Sequence, residues 1–148
     1  MTRDELTEKI RTIVRAKKLR WRDIAAAVGP GSPLVTTGAL LGQMRLLPGE
    51  AAKAAEVLGL SDDERDLLTE IPYRGSLPPG PPTDPLIYRF YEMVQVYGTT
   101  WKALIEEEFG DGIMSAIDLD MQMERQPDPK GDRVKITLSG KFLSYKRY

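Results

Sequence analysis

Arg89 and Glu92 are the only charged residues between Pro85 and Gly98, in a stretch otherwise dominated by Leu86, Ile87, Tyr88, Phe90, Tyr91, Met93, Val94, Val96 and Tyr97. Three residues apart on a helix, they project from one face. A guanidinium keeps its proton at any ordinary pH, and its planar fork grips oxyanions through two parallel hydrogen bonds. An arginine aimed by Glu92 therefore suits an anionic ligand. The plainer alternative is an internal ion pair that satisfies itself within a crowded helix. Ser115 is the second candidate, because it interrupts an apolar strand face between Ile113 and Ile117. A buried hydroxyl without a partner costs about 1–3 kcal/mol, so Ser115 either bonds a nearby main-chain carbonyl or serves a ligand.

Other groupings carry less chemistry. Gly110-Asp111-Gly112 has the composition of a phosphate-cradling loop, but a lone G-x-G more simply makes a tight helix-to-strand turn. Asp118, Asp120 and Glu124 resemble a hard-metal cluster, yet on an alternating strand they share a solvated face with Gln122 and have no EF-hand spacing. Glu106-Glu107-Glu108 falls in the last turn of a helix, where negative charge is mildly unfavourable and adds only solubility.

What the chain lacks narrows the chemistry further. With no Cys there are no disulfides, thiolate nucleophiles or Cys-type zinc sites; with no His there is no Ser-His triad and no imidazole ligand or base. An enzyme built this way runs on Arg, Lys, Asp, Glu, Ser, Thr or Tyr, and no cofactor is expected. The 148 residues suit one domain or two small ones. No apolar run approaches the ~18 residues of a membrane span, and Asp4, Glu5 and Glu8 are unlike a signal or transit peptide. The expectation is a cytoplasmic protein without a membrane partner. Charge is balanced, at 11 basic and 11 acidic residues over 1–72 and 10 and 11 over 73–148, although the first 22 residues hold eight Lys/Arg against three Asp/Glu. Neither half is the basic body of a dedicated nucleic-acid binder.

The elements that must position these residues fall on both sides of a Pro/Gly-rich connector, residues 75–83. Before it, residues 1–74 predict a bundle of about five helices: one carrying Leu6, Ile10, Ile13 and Val14, then Trp21–Val28, Leu34–Leu41, Ala51–Leu58 closed by Gly59, and Glu64–Glu70 opened by a Ser61 capping box. After it, residues 84–148 predict a helix from the Asp84 cap to Tyr97, buried nearly all round and ended by Gly98. A second helix, Trp101–Phe109, follows. A β-hairpin then pairs the alternating strand from Ile113 with Arg133–Leu138, before a Ser139-Gly140 turn and a short tail. The fold class is α+β, a repressor-like helical bundle followed by a helix and a β-hairpin. A two-stranded ribbon with one apolar face is marginal alone, so another subunit is expected to cover it. Residues 21–41 also have helix-turn-helix proportions, which makes an oligomeric DNA-binding repressor the alternative reading. Against it, Leu34–Leu41 offers only Thr36 and Thr37 to base edges.

Two long motifs, Asp84-Pro85 through Tyr88-Arg89-Phe90-Tyr91-Glu92 to Val96-Tyr97-Gly98, and Phe109-Gly110-Asp111-Gly112-Ile113-Met114-Ser115-Ala116-Ile117-Asp118, resemble the cyanase family (cyanate hydratase, or cyanate lyase). Ala39-Leu40-Leu41-Gly42-Gln43, Ile71-Pro72 with Arg74-Gly75, and Gly140-Lys141-Phe142-Leu143 with Tyr145-Lys146 extend the likeness along almost the whole chain. It implies a homodecamer built from dimers, with sites at subunit interfaces and a bundle not used on nucleic acid. It implies a lyase in which cyanate and bicarbonate form a dianionic adduct that splits into carbon dioxide and carbamate. Bicarbonate is a co-substrate and no cofactor or metal takes part. The family's catalytic Arg, Glu and Ser fall on Arg89, Glu92 and Ser115. The departures, the ending Lys146-Arg147-Tyr148 and Leu119 where Phe is frequent, bear on packing.

Overall fold

The computed structural model describes residues 1–146, so Arg147 and Tyr148 of the departing C-terminal ending lie outside the described residues. Eight elements follow in order: α1 (Arg3–Ala16), α2 (Trp21–Val28), α3 (Pro33–Leu40), α4 (Pro48–Leu58), α5 (Asp62–Leu67), α6 (Pro85–Phe109), β1 (Gly112–Gln126) and β2 (Arg133–Ser144). Contacts group residues 1–75 with 121–137 of the hairpin into one unit, and residues 76–120 with the segment from Leu138 onward into a second. Among the described residues, no helix is long and apolar enough to cross a membrane.

The first unit is a bundle whose helices are bounded by their own side chains. The Thr2 hydroxyl accepts from the Glu5 N–H while the Glu5 carboxylate takes the Thr2 N–H at 2.6 Å, and Ser61 and Glu64 repeat the device at α5. Gly59 closes α4 in the left-handed region (φ 73°, ψ 44°), as expected of a glycine C-cap. The apolar faces so aligned bury Leu6, Ile10, Ile24, Leu40, Leu58 and Leu68 to 1% exposure or less. Each such side chain contributes about 1.5–3 kcal/mol.

Four of the eight basic residues at the N-terminus, Arg3, Lys9, Lys17 and Arg22, make hydrogen bonds within the chain, and of the eight only Arg3 is not exposed. Arg3 donates to the carbonyls of Ala39 (2.5 Å), Met44 and Leu67 (both 3.4 Å), tying the C-terminal ends of α3 and α5 to α1, and burial lowers its pKa. Lys9 pairs with Glu64 at 2.5 Å, and Lys17 donates to the Leu58 carbonyl. Arg22 donates to the Met123 carbonyl and the Ser32 hydroxyl to that of Met121, each at 2.6 Å. The hairpin thus occupies Ser32, the residue before α3, where a DNA-reading helix would have to present itself. Ser32 makes no side-chain cap on α3.

In the second unit, Asp84 caps α6 by accepting from the N–H groups of Leu86 and Ile87 at 2.9 Å, with Pro85 at the first helical position. The helix then departs from expectation. It does not stop at Gly98 but runs 25 residues to Phe109, ending where Gly110 adopts φ 90°. Glycine lowers helix propensity by about 1 kcal/mol without forbidding the conformation, and Tyr97 and Trp101 stack across the glycine, ring centroids 6.4 Å apart. Nor is α6 buried within its own chain: none of its residues is, and Leu86, Val96 and Leu104 are 58–70% exposed.

The hairpin is a two-stranded sheet of β1 and β2. Its turn is built by Asp128, which accepts from the Lys130 N–H at 2.8 Å. Ser139-Gly140 is no turn; β2 continues through it to Ser144. Glycine is required there by a close approach, because a Cβ on Gly140 would stand 2.5 Å from Met114 Cγ and 2.7 Å from the Ser115 carbonyl oxygen. Tyr145 N–H closes the base onto the Asp111 carbonyl, and Phe109 packs on Phe142 at 5.2 Å.

Candidate functional site

α6 places Arg89 and Glu92 in its second turn, and their spacing brings them together: Arg89 Nη1 donates to Glu92 Oε2 at 2.8 Å. The expected pairing is present, but the pair is not internal, with side chains 62% and 47% exposed. Tyr88 supports the cation from the other side, its ring centroid 5.7 Å from Arg89 Cζ. Tyr91 lies 5.8 Å from Tyr88 and accepts a hydrogen bond from Gln95 Nε2 at 2.9 Å. The guanidinium is therefore oriented by a carboxylate and an aromatic face while its remaining N–H groups face outward. Sequence reasoning missed Tyr88; its adjacency to Arg89 was the available signal.

Ser115 is the one buried residue among the described residues of the second unit, at 5% exposure. Its partners differ from the expected carbonyl. The oxygen accepts from the main-chain N–H groups of Ile117 (3.1 Å) and Asp118 (2.9 Å). The reason is local: a serine hydroxyl can accept from main-chain N–H groups two or three residues ahead in the chain. Among the described residues no hydrogen bond or ion pair joins Ser115 to Arg89 or Glu92 in one chain.

The other candidates resolve into ordinary roles. Among the described residues no three His, Cys, Asp or Glu side chains gather as metal ligands. Glu124 pairs with Lys135 at 2.9 Å, and this hydrogen bond holds its carboxyl below the usual range. Glu106 pairs with Lys102 one turn earlier, which raises the lysine's pKa and gives one member of the acidic run a partner. Gly110-Asp111-Gly112 makes the helix-to-strand turn, and a Cβ on Gly112 would collide with the Leu143 carbonyl and the Phe142 ring. Chemically, an outward guanidinium and a hydroxyl held by two N–H groups are suited to binding small anions, without a base or a metal ligand set.

The whole chain is similar to known proteins. The family model described as "Cyanate hydratase, N-terminal" matches residues 3–72, and the "Cyanate lyase C-terminal domain" matches residues 79–147. The cyanate hydratase of Methylibium petroleiphilum is 60% identical and that of Variovorax paradoxus 55% identical, each over all 148 residues and the full length of both proteins. The crystal structure of cyanase from T. urticae superimposes with a TM-score of 0.81 at 34% identity, covering 94% of this chain and 96% of that one. Two family models in order, relatives matched end to end and a shared fold leave one assignment: the chain belongs to the cyanate lyase (cyanate hydratase) family.

Proposed function

We propose that this chain decomposes cyanate with bicarbonate as co-substrate, as a cytoplasmic homodecamer assembled from dimers. Cyanate, bicarbonate and a proton give carbon dioxide and carbamate; carbamate takes a second proton and falls apart into ammonia and another carbon dioxide. The observation that carries the reading is 60% identity to a cyanate hydratase along the entire chain. The division of labour is a bundle, residues 1–74, a connector, residues 75–83, and a catalytic and dimerisation domain, residues 84–148; the two family matches, 3–72 and 79–147, support it.

The chemistry asks little of a protein without His or Cys. Bicarbonate oxygen attacks the cyanate carbon, and bicarbonate's own proton can pass to nitrogen, so no protein base is needed. The obstacle is electrostatic. Two monoanions ~4 Å apart repel by about 4 kcal/mol at an effective dielectric near 20. Fixed positive charge offsets this and favours the adduct, in which the charge is concentrated. Arg89 supplies that charge, Glu92 holds its orientation, and Ser115 donates a hydrogen bond to a substrate oxygen or nitrogen. Holding the two anions adjacent lowers the remaining barrier.

The exposed apolar residues of α6 and of β1, where Ile117 is 98% exposed, support assembly, since large apolar side chains left open in one chain suit an interface with other copies. No cofactor enters the reading. DNA binding is not favoured, because the hairpin engages Ser32 just before α3 and relatives matched along the whole chain are cyanate hydratases. The deciding assay measures ammonia released from cyanate by purified protein with and without added bicarbonate. Release that requires bicarbonate is expected; no release, or release indifferent to bicarbonate, overturns the reading.

A further inference from the structure

Within the first unit, two cavities share Arg22 and Met123 as a common wall. One, of 220 Å³, lies between α2 and α3 and is lined chiefly by apolar surface from Trp21, Pro33, Leu34 and Met123. The other, of 380 Å³, is ringed by Arg20, Arg22, Arg125 and Arg133. The arginines come from opposite ends of the sequence and meet through the hairpin end of β1 and β2. Their charge is only partly balanced. Asp132 is engaged by Arg125 at 3.0 Å and Glu124 by Lys135 at 2.9 Å, while Arg22 donates to a carbonyl. Among the described residues no carboxylate pairs with Arg20 or Arg133. Arg20 also precedes α2 without a side-chain cap, so the positive end of that helix adds to the same field.

We propose that this groove binds a small phosphate monoester bearing an apolar ring or chain. The phosphate sits among Arg20, Arg22 and Arg133, and the apolar group against Trp21, Leu34 and Met123. Two unpaired guanidinium groups match a dianionic head, and cavities of this size hold a ligand of roughly nucleotide dimensions or less. Neither cavity is lined by Arg89, Glu92 or Ser115, and cyanate and bicarbonate have no apolar part to fill the first, so the groove is assigned a ligand of its own.

Titration calorimetry on the assembled protein tests this with phenyl phosphate and inorganic phosphate as probes. Phenyl phosphate is expected to bind saturably in the millimolar range or tighter, at least tenfold more strongly than inorganic phosphate, and more weakly as salt is raised. The double variant Arg20→Ala/Arg133→Ala removes exposed side chains without ion-pair partners and should weaken phenyl phosphate at least tenfold, its melting curve confirming an intact fold. Arg89→Lys should bind phenyl phosphate as wild type does, whatever happens to cyanate turnover. The proposal falls if phenyl phosphate shows no saturable binding, as when another copy fills the groove, if both phosphates bind alike, if the double variant binds undiminished, or if Arg89→Lys abolishes binding.

Discussion

In the first unit Leu6, Ile10, Ala39, Ala51, Ala54 and Leu68 are wholly withdrawn from solvent, whereas α6, longer than any helix of the bundle, hides none of its 25 residues. Both regions are rich in apolar side chains. The bundle assigns its charges to caps and carbonyls, with Glu5, Glu64 and Arg3 each satisfying main-chain groups. Among its described residues the second unit buries a single one, and that residue is a serine. A region that folds around its own core and a region that leaves its apolar surface open have different obligations. The first stabilises the chain, and the second presents the surface on which the proposed assembly of copies would form.

That contrast can be broken at several points. The largest effect is expected at Arg89: Arg89→Lys should lower bicarbonate-dependent ammonia release at least a thousandfold, about 4 kcal/mol of transition-state stabilisation, with the assembly unchanged by light scattering. Ser115→Ala should cost less in the same assay. Retained activity in Arg89→Lys would remove the catalytic role of α6. In the bundle the corresponding loss is one of stability. Leu58→Ala should cost about 2–5 kcal/mol in urea unfolding, because a cavity opens in a packed core, and should leave turnover of the still-folded fraction near wild type.

Smaller effects sharpen the same division. Gly140→Ala forces a methyl onto Met114 and the Ser115 carbonyl, and should cost about 1–3 kcal/mol by overpacking, with activity falling alongside because Ser115 shifts. Glu64 gives the bundle an acid sensitivity. The hydrogen bond from Lys9, aided by the Ser61 N–H, holds its carboxyl below the ordinary 4.5. Its contribution is therefore complete above about pH 4.5 and is lost as pH falls through the lower folded value. Urea midpoints of wild type should drop over that interval, and those of Glu64→Gln should drop less. Smallest of all, Gly98→Ala should stabilise α6 by up to about 1 kcal/mol, since the added Cβ meets only Val94 Cγ1 at 3.7 Å. Loss of assembly instead would mean that a second chain passes close to Gly98.

Local chemistry made the boundaries legible. Ser61 and Asp84 with their following residues, and Gly59 and Gly110 behind their helices, announce ends because each satisfies main-chain groups within four residues. Glycine misleads where its purpose is distant. Gly98 resembles a helix stop, but Tyr97 and Trp101 bridge it; Gly140 resembles a turn, but the facing strand needs the space. The Arg89–Glu92 pair was readable from its spacing. The Ser115 partners were not, since a carbonyl and an N–H are equally near in sequence and only the folded backbone selects between them. Contacts of Arg22 and Ser32 with Met123 and Met121 span 101 and 89 residues, and no local pattern encodes them.

Because two amide hydrogens point at the Ser115 oxygen, its lone pairs are spoken for, and what the hydroxyl has left to give is a proton in a hydrogen bond. A group so saturated is a poor nucleophile and a poor acceptor. Under the proposed role such a hydroxyl would favour an incoming anion over ammonium or any other donor, leaving the nitrogen product no hold there once it is protonated. Reagents that seek activated hydroxyls should therefore leave Ser115 unmodified, as mass spectrometry of the treated protein would show.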